Sequence, residues 1–153
     1  MTLLERRRIE AALLAETYAV LTDRLGREAA LAAIEAIVEK AARQAGRAFA
    51  AAAPNGPSLD HFASVAETWQ AGGALTIENV ARRGDTFSFD VTRCRYAEAY
   101  REMGLPEELA SRISCLRDGA FVAGYSDKLR LTRPETITSG ARRCPFTFTW
   151  ENA

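Results

Sequence analysis

Residues 86–92, Thr-Phe-Ser-Phe-Asp-Val-Thr, decide the fold. Apolar and polar side chains alternate, so Phe87, Phe89 and Val91 share one face and Thr86, Ser88, Asp90 and Thr92 share the other. A period of two is the mark of a strand with one buried face. The stretch 144–150, Cys-Pro-Phe-Thr-Phe-Thr-Trp, repeats the pattern with Cys144, Phe146, Phe148 and Trp150. Upstream of the first stretch, 74–80 reads as a strand and Arg82-Arg83-Gly84-Asp85 as the turn that makes a hairpin. A further strand is expected over 128–132, giving two hairpin-like pairs.

Between the pairs the period returns to that of a helix. Short helices are expected over 96–103, from Pro106 to about Cys115, and around Phe121 and Tyr125. Pro at a first turn and acids at the positive dipole end support the second of these. The 53 N-terminal residues hold 17 Ala and no Cys or Trp, and read as two long helices. Thr2 and Glu5 form a capping box for the first, whose stripe is read as Leu3, Leu13, Leu14 and Leu21. The stripe of the second is read as Leu31, Ile34, Ile37, Val38 and Phe49. Pro54-Asn55-Gly56-Pro57 stops it, and Ser58 caps a third helix carrying Phe62, Val65 and Trp69 that ends at Gly72-Gly73. The expected fold is α+β: two long N-terminal helices, then a four-stranded antiparallel sheet with short helices inserted between the strand pairs. A single domain over 1–153 is expected, helical over about 1–71 and α+β over about 74–150.

Composition excludes several classes. The 20 basic and 20 acidic residues cancel, so a nucleic-acid partner is not expected. No apolar run is long enough to span a bilayer, and the Arg-rich start is not a signal peptide, so a cytoplasmic protein without a membrane partner is expected. Arg6-Arg7-Arg8 reads as a solvated helix face. Long amphipathic helices often pair across a two-fold axis, so the pattern is compatible with a homodimer. No Gly-rich phosphate loop is present, and no cofactor is expected.

Chemistry concentrates at element ends. Cys94 follows the second strand, Cys115 closes a helix, and Cys144 opens the fourth strand. Antiparallel pairing of those strands brings Cys94 and Cys144 to one sheet edge. Arg93, Arg95, Tyr96, Arg117, Asp118, Arg133 and Thr136 lie in the same segments. A thiol beside Arg or a helix end has a lowered pKa and is reactive as thiolate. Three alternatives stay open: buried packing thiols, a disulfide, and a Cys₃His zinc site with His61, for which spacings of 21 and 29 residues give little support. His61, the one histidine, otherwise reads as solvated or packed. Asp118 lies three residues after Cys115, so helical geometry puts both on one face; otherwise it caps a helix starting at Gly119.

These residues fall in an order that resembles the L-2-amino-thiazoline-4-carboxylic acid hydrolase family. The run is Thr92-x-Cys94-x-Tyr96, Gly104-Leu105-Pro106, Cys115-x-x-Asp118, Thr132-Arg133-Pro134-Glu135-Thr136-Ile137, Gly140 and Cys144-Pro145-Phe146. Pro145 stands where relatives often have Asp, and Pro134 where they have a polar residue. The resemblance implies a hydrolase that opens a small cyclic amidine or amide C–N bond, turning a 2-aminothiazoline-4-carboxylate-like substrate into an N-carbamoyl amino acid. It implies catalytic roles for Cys94 or Cys115 as nucleophile, Asp118 as acid and base, and Cys144 in the same pocket. Arg133, or Arg95, would hold an anionic group, with Tyr96 and Thr136 also binding substrate. The rival expectation is a non-catalytic α+β module that binds a small molecule or a metal.

Overall fold

The computed structural model describes residues 1–152. Helix α1 (Leu3–Leu25) starts at the Thr2 capping box, in which Thr2 and Glu5 satisfy each other's backbone N–H. Helix α2 (Arg27–Ala51) follows after Gly26 alone. Its buried stripe is Ala30, Ile34, Val38, Ala42 and Gly46, strictly four residues apart. Two positions of the expected stripes are corrected. Leu13 is 70% exposed and Ile37 is 47% exposed. Each sits one residue, and so about 100°, from a position that does face inward.

Helices α3 (Leu59–Ala63) and α4 (Val65–Gln70) lead into β1 (Leu75–Arg83), which pairs with β2 (Thr86–Cys94). The turn is tighter than expected: β1 runs on to Arg83, leaving only Gly84 and Asp85 between the strands, and Gly84 takes a positive φ of 54°. Helix α5 (Arg95–Glu102) starts at once, then α6 (Glu107–Ile113) and α7 (Cys115–Tyr125). Cys115 therefore opens a helix where one was expected to close. Ser114 (φ −113°, ψ −73°) breaks the run between α6 and α7. Strands β3 (Leu129–Thr132) and β4 (Cys144–Trp150) complete an all-antiparallel sheet in the order β1-β2-β4-β3.

The β2–β4 register places Phe87 opposite Phe148, Phe89 opposite Phe146 and Val91 opposite Cys144. One face of the sheet is thus a block of stacked phenyl rings ending in a thiol, covered by Phe62, Val65, Val122 and Tyr125 of α3, α4 and α7. A second core joins α1, α2, α5 and α6 through Ala11, Ile34, Val38, Tyr100, Leu109 and Ile113. Among the described residues no helix is long and apolar enough to cross a membrane.

Candidate functional site

A cavity of about 270 Å³ lies between the two cores. Phe121, Trp69, Phe146, Val65 and Val91 form its apolar wall. Its polar wall carries Cys94, Cys115, Cys144, Tyr96, Tyr100, Asp118, Arg7, Arg117 and Arg133, with Leu3 and Arg6 of α1 beside them. Eight elements contribute to it, α1, α2, α4, β1, β2, α5, α7 and β4, together with Ser114 and Arg133 between elements.

Each thiol is free and held differently. Cys94 Sγ caps α5, accepting from the Ala97 N–H at 3.5 Å. Cys144 Sγ accepts from the Ile137 N–H at 3.0 Å. Cys115 Sγ lies 2.7 Å from Thr138 Oγ1. These contacts favour the thiolate, but removal from water opposes it and prevails. Burial pushes Cys94 up to about 11 and raises Cys115 and Cys144 as well. The expected lowering of a thiol pKa is therefore corrected: all three are thiols at neutral pH.

Asp118 sits in the first turn of α7, on the same side as Cys115, and does not cap a helix at Gly119. Its carboxylate pairs with Arg133 Nη1. Burial pushes its pKa up to about 6, with Arg133 limiting the rise. It is thus ionised at pH 7 yet close to the point where it takes a proton. Arg133 Nη2 donates to the Cys115 carbonyl at 3.0 Å, and the guanidinium lies 5.2 Å over the Phe146 ring. Arg133 Nε is buried without a partner. The guanidinium expected to grip substrate thus has its Nη atoms on the protein, with Nε left over.

Two other expected binding residues lie outside the cavity wall. Arg95 is exposed. Thr136 caps the 3₁₀ turn Ile137–Ser139 and connects to Cys115 only indirectly, through Thr138, whose hydroxyl donates to Thr136 Oγ1 at 3.1 Å. Tyr96 does line the wall, and its hydroxyl donates to the Trp69 carbonyl at 3.3 Å. His61 stacks on Phe49 at 4.5 Å and meets the Tyr125 hydroxyl at 2.8 Å, away from the thiols. No three His, Cys, Asp or Glu side chains among the described residues are grouped to hold a metal ion.

Sequence reasoning missed Arg7, Tyr100 and Thr138, and grouped Arg117 with the polar residues of the same segments without giving it a role. For Arg7 the signal was present. Leu3, Arg7, Ala11, Leu14 and Tyr18 are spaced along one face of α1, and Ala11 is fully buried. An arginine on the inward stripe of a helix is not a solvated one.

A family model described as L-2-amino-thiazoline-4-carboxylic acid hydrolase matches residues 6–148. No curated protein matches significantly. Among solved structures, the phenol-responsive sensory domain of the transcription activator PoxR with phenol aligns at 15% identity over 94% of this chain and 74% of that chain, with a TM-score of 0.51. A trafficking protein particle complex subunit 3 from Naegleria fowleri, covalently bound to palmitic acid, aligns at 16% identity over 94% of this chain and 96% of that chain, with a TM-score of 0.47. The likeness to the sensory domain is one of fold.

Proposed function

Because the chain belongs to the L-2-amino-thiazoline-4-carboxylic acid hydrolase family, we propose that it adds water across a carbon–nitrogen double bond of a small ring held in the cavity, with Asp118 moving the protons. The observation that carries this reading is the Asp118–Arg133 pair facing a cavity with a pKa tuned to about 6. A general base works best with a pKa near the operating pH.

For a 2-aminothiazoline the bonds balance as follows. The ring amidine is protonated, so its carbon is electrophilic. Water adds its oxygen there and gives one proton to Asp118. The carbinol then becomes C=O, losing its proton to solvent, and the ring C–S bond breaks. Asp118 returns its proton to the departing sulfur. Both C–N bonds survive in the N-carbamoyl product, so for this substrate the broken bond is C–S. In an all-nitrogen cyclic amidine or amide the leaving atom is nitrogen, as the C–N expectation holds.

Arg133 holds the Asp118 carboxylate in one orientation. Direct attack by water suits thiols that stay protonated. Attack by Cys115 is the competing route and requires its proton to pass first to Asp118, one helical turn away. Phe121, Trp69 and Phe146 pack against the ring and exclude bulk water.

The test is turnover of 2-aminothiazoline-4-carboxylate and of cyclic amidine and amide analogues, read by mass spectrometry as the gain of one water. Wild type, Asp118→Asn and the three single Cys→Ser variants are compared. Turnover that Asp118→Asn abolishes and Cys115→Ser retains supports the water route. Loss in Cys115→Ser with full folding moves the reading to a covalent intermediate. No turnover of any compound, with binding retained, replaces the hydrolase by a small-molecule-binding module.

A further inference from the structure

The Arg6-Arg7-Arg8 run has a second use once its side chains are followed individually. Arg8 turns outward to Glu102. Arg7 turns inward and donates from Nη1 to Glu10 Oε2 at 2.6 Å. Arg117 of α7 reaches the same oxygen with Nη2 at 3.2 Å, while its Nε donates to the Ile113 carbonyl at 2.7 Å. Arg6 Nε stands 3.6 Å from the other Glu10 oxygen, with most of its side chain in solvent. The Arg7 and Arg117 side chains are only 20% and 14% exposed, and both line the cavity.

The charge count is uneven. Among the described residues Arg133 is the one ion-pair partner of Asp118. Arg7 and Arg117 share one carboxylate, which the largely solvated Arg6 also approaches, so this end of the cavity carries at least one uncompensated positive charge on two largely buried side chains. Buried guanidiniums are rarely left short of a partner, because desolvation is offset only by pairing. Burial, and after it the nearby Arg7 charge, lower the Arg117 pKa. A monoanion would complete the set, and guanidiniums match carboxylate geometry with paired N–H donors.

We propose that Arg7 and Arg117, bridged by Glu10, form a seat for the carboxylate of a small flat ring compound whose ring lies against the aromatic wall. Arg117 precedes Asp118 in α7, and both Arg7 and Arg117 lie within electrostatic reach of the Asp118 carboxylate. A carboxylate seated there therefore delivers its ring to the proton-transfer group. The site takes its anion from the α1 side, while Arg133 holds Asp118. This deepens the hydrolase reading and rests on it for the kind of ring chosen, while the charge argument stands apart from turnover.

The test uses two flat, non-hydrolysable probes of matched shape, the anionic 2-aminothiazole-4-carboxylate and the neutral 2-aminothiazole-4-carboxamide. Binding to the full chain is measured by calorimetry at low salt. Wild type is expected to bind the carboxylate about tenfold or more tighter than the carboxamide, the scale of a charge-assisted pair. Arg7→Gln is expected to bring that ratio close to one. Glu10→Gln removes the competing carboxylate and is expected to widen the ratio, whereas a merely structural Glu10 would weaken both probes alike. Equal affinity for the probes in wild type overturns the seat, as does binding of neither at millimolar concentration. A ratio unchanged in Arg7→Gln, or a narrowed one in Glu10→Gln, overturns it as well. Turnover without charge discrimination sinks the seat alone; discrimination without turnover sinks the hydrolase reading alone.

Discussion

Replacing Gly46 by alanine tests how α7 is held in place. Helices α2 and α7 cross backbone to backbone at two glycines. A Cβ at Gly46 would lie 2.9 Å from the Tyr125 nitrogen and closer still to the Phe121 carbonyl oxygen. A Cβ at Gly124 would lie 2.8 Å from Arg43 Cα and closer still to its carbonyl oxygen. Carbon atoms pack at about 3.5 Å or more, so the Gly124 Cβ would intrude by about 0.7 Å on Cα alone. The obstacles are backbone atoms, and no rotamer change relieves the clash. The helices must move apart, which loosens the packing of Phe49 against Phe121 and Tyr125. Overpacking costs about 1–3 kcal/mol, with the upper end expected here, whereas Ala in place of Gly in a helix returns about 1 kcal/mol. The net expectation for Gly46→Ala is a loss of about 2 kcal/mol, or roughly 4–8 °C in Tm. Gly119 lies in the same helix α7 with nothing within 4 Å of its would-be Cβ. Gly119→Ala should therefore gain up to about 1 kcal/mol from propensity alone. Urea unfolding of the three proteins, followed by circular dichroism, measures both changes. A Gly46→Ala protein as stable as wild type, or one that gains as much as Gly119→Ala, would show that the close crossing does not constrain α7.

The Asp118 carboxyl binds its proton more tightly in the folded chain, at about 6 against an ordinary 3.8. Its contribution therefore disfavours the folded state progressively as pH rises from about 4 to about 6, by no more than about 3 kcal/mol, and is constant above that. The wild-type curve of stability against pH should show this slope relative to Asp118→Asn, and parallel curves would refute it. Under the proposed mechanism, kcat/KM should climb with pH through about 6 and fall again where the substrate amidine loses its proton. The thiols should react slowly with iodoacetamide at pH 7, with labelling rates still rising above pH 9 and Cys94 slowest in peptide mass spectra. Rapid labelling of any one at neutral pH would contradict the burial argument. The Tyr125 hydroxyl accepts from the Ser58 N–H at 3.1 Å and lies 3.0 Å from the Ser58 carbonyl and 2.8 Å from His61 Nδ1. Tyr125→Phe should cost about 1–3 kcal/mol by leaving those groups unpaired, measured by urea unfolding.

Much of the site's membership was legible before its geometry. Cys94, Cys115, Cys144, Asp118, Arg133 and Tyr96 share one cavity, as element ends on an antiparallel sheet suggest they should. Arg95 and Thr136 were drawn in by proximity along the chain, but one turns to solvent and the other caps a turn. Arg7 was misread because a run of three arginines looks like a surface when its helical phase is ignored. Arg117 was grouped with the right segments but given no role, since nothing in its neighbourhood along the chain shows that Glu10, 107 residues away, shares its surroundings.

The secondary elements and the antiparallel pairing were determined by the sequence itself. Period-two alternation, a turn within Arg82–Asp85 and the Thr2 box act through neighbours within a few residues, and local sterics and hydrogen bonds suffice to read them. The protonation states and the charge balance were decided only by tertiary structure. Thiols expected to ionise are instead held neutral, and a carboxyl is lifted to about 6, because desolvation depends on every chain segment that excludes water from the cavity. The surplus charge at Arg7 and Arg117 arises because α1 and α7, far apart in sequence, bring two guanidiniums to one carboxylate. Coulomb energy follows distance through space, and only the folded chain sets that distance.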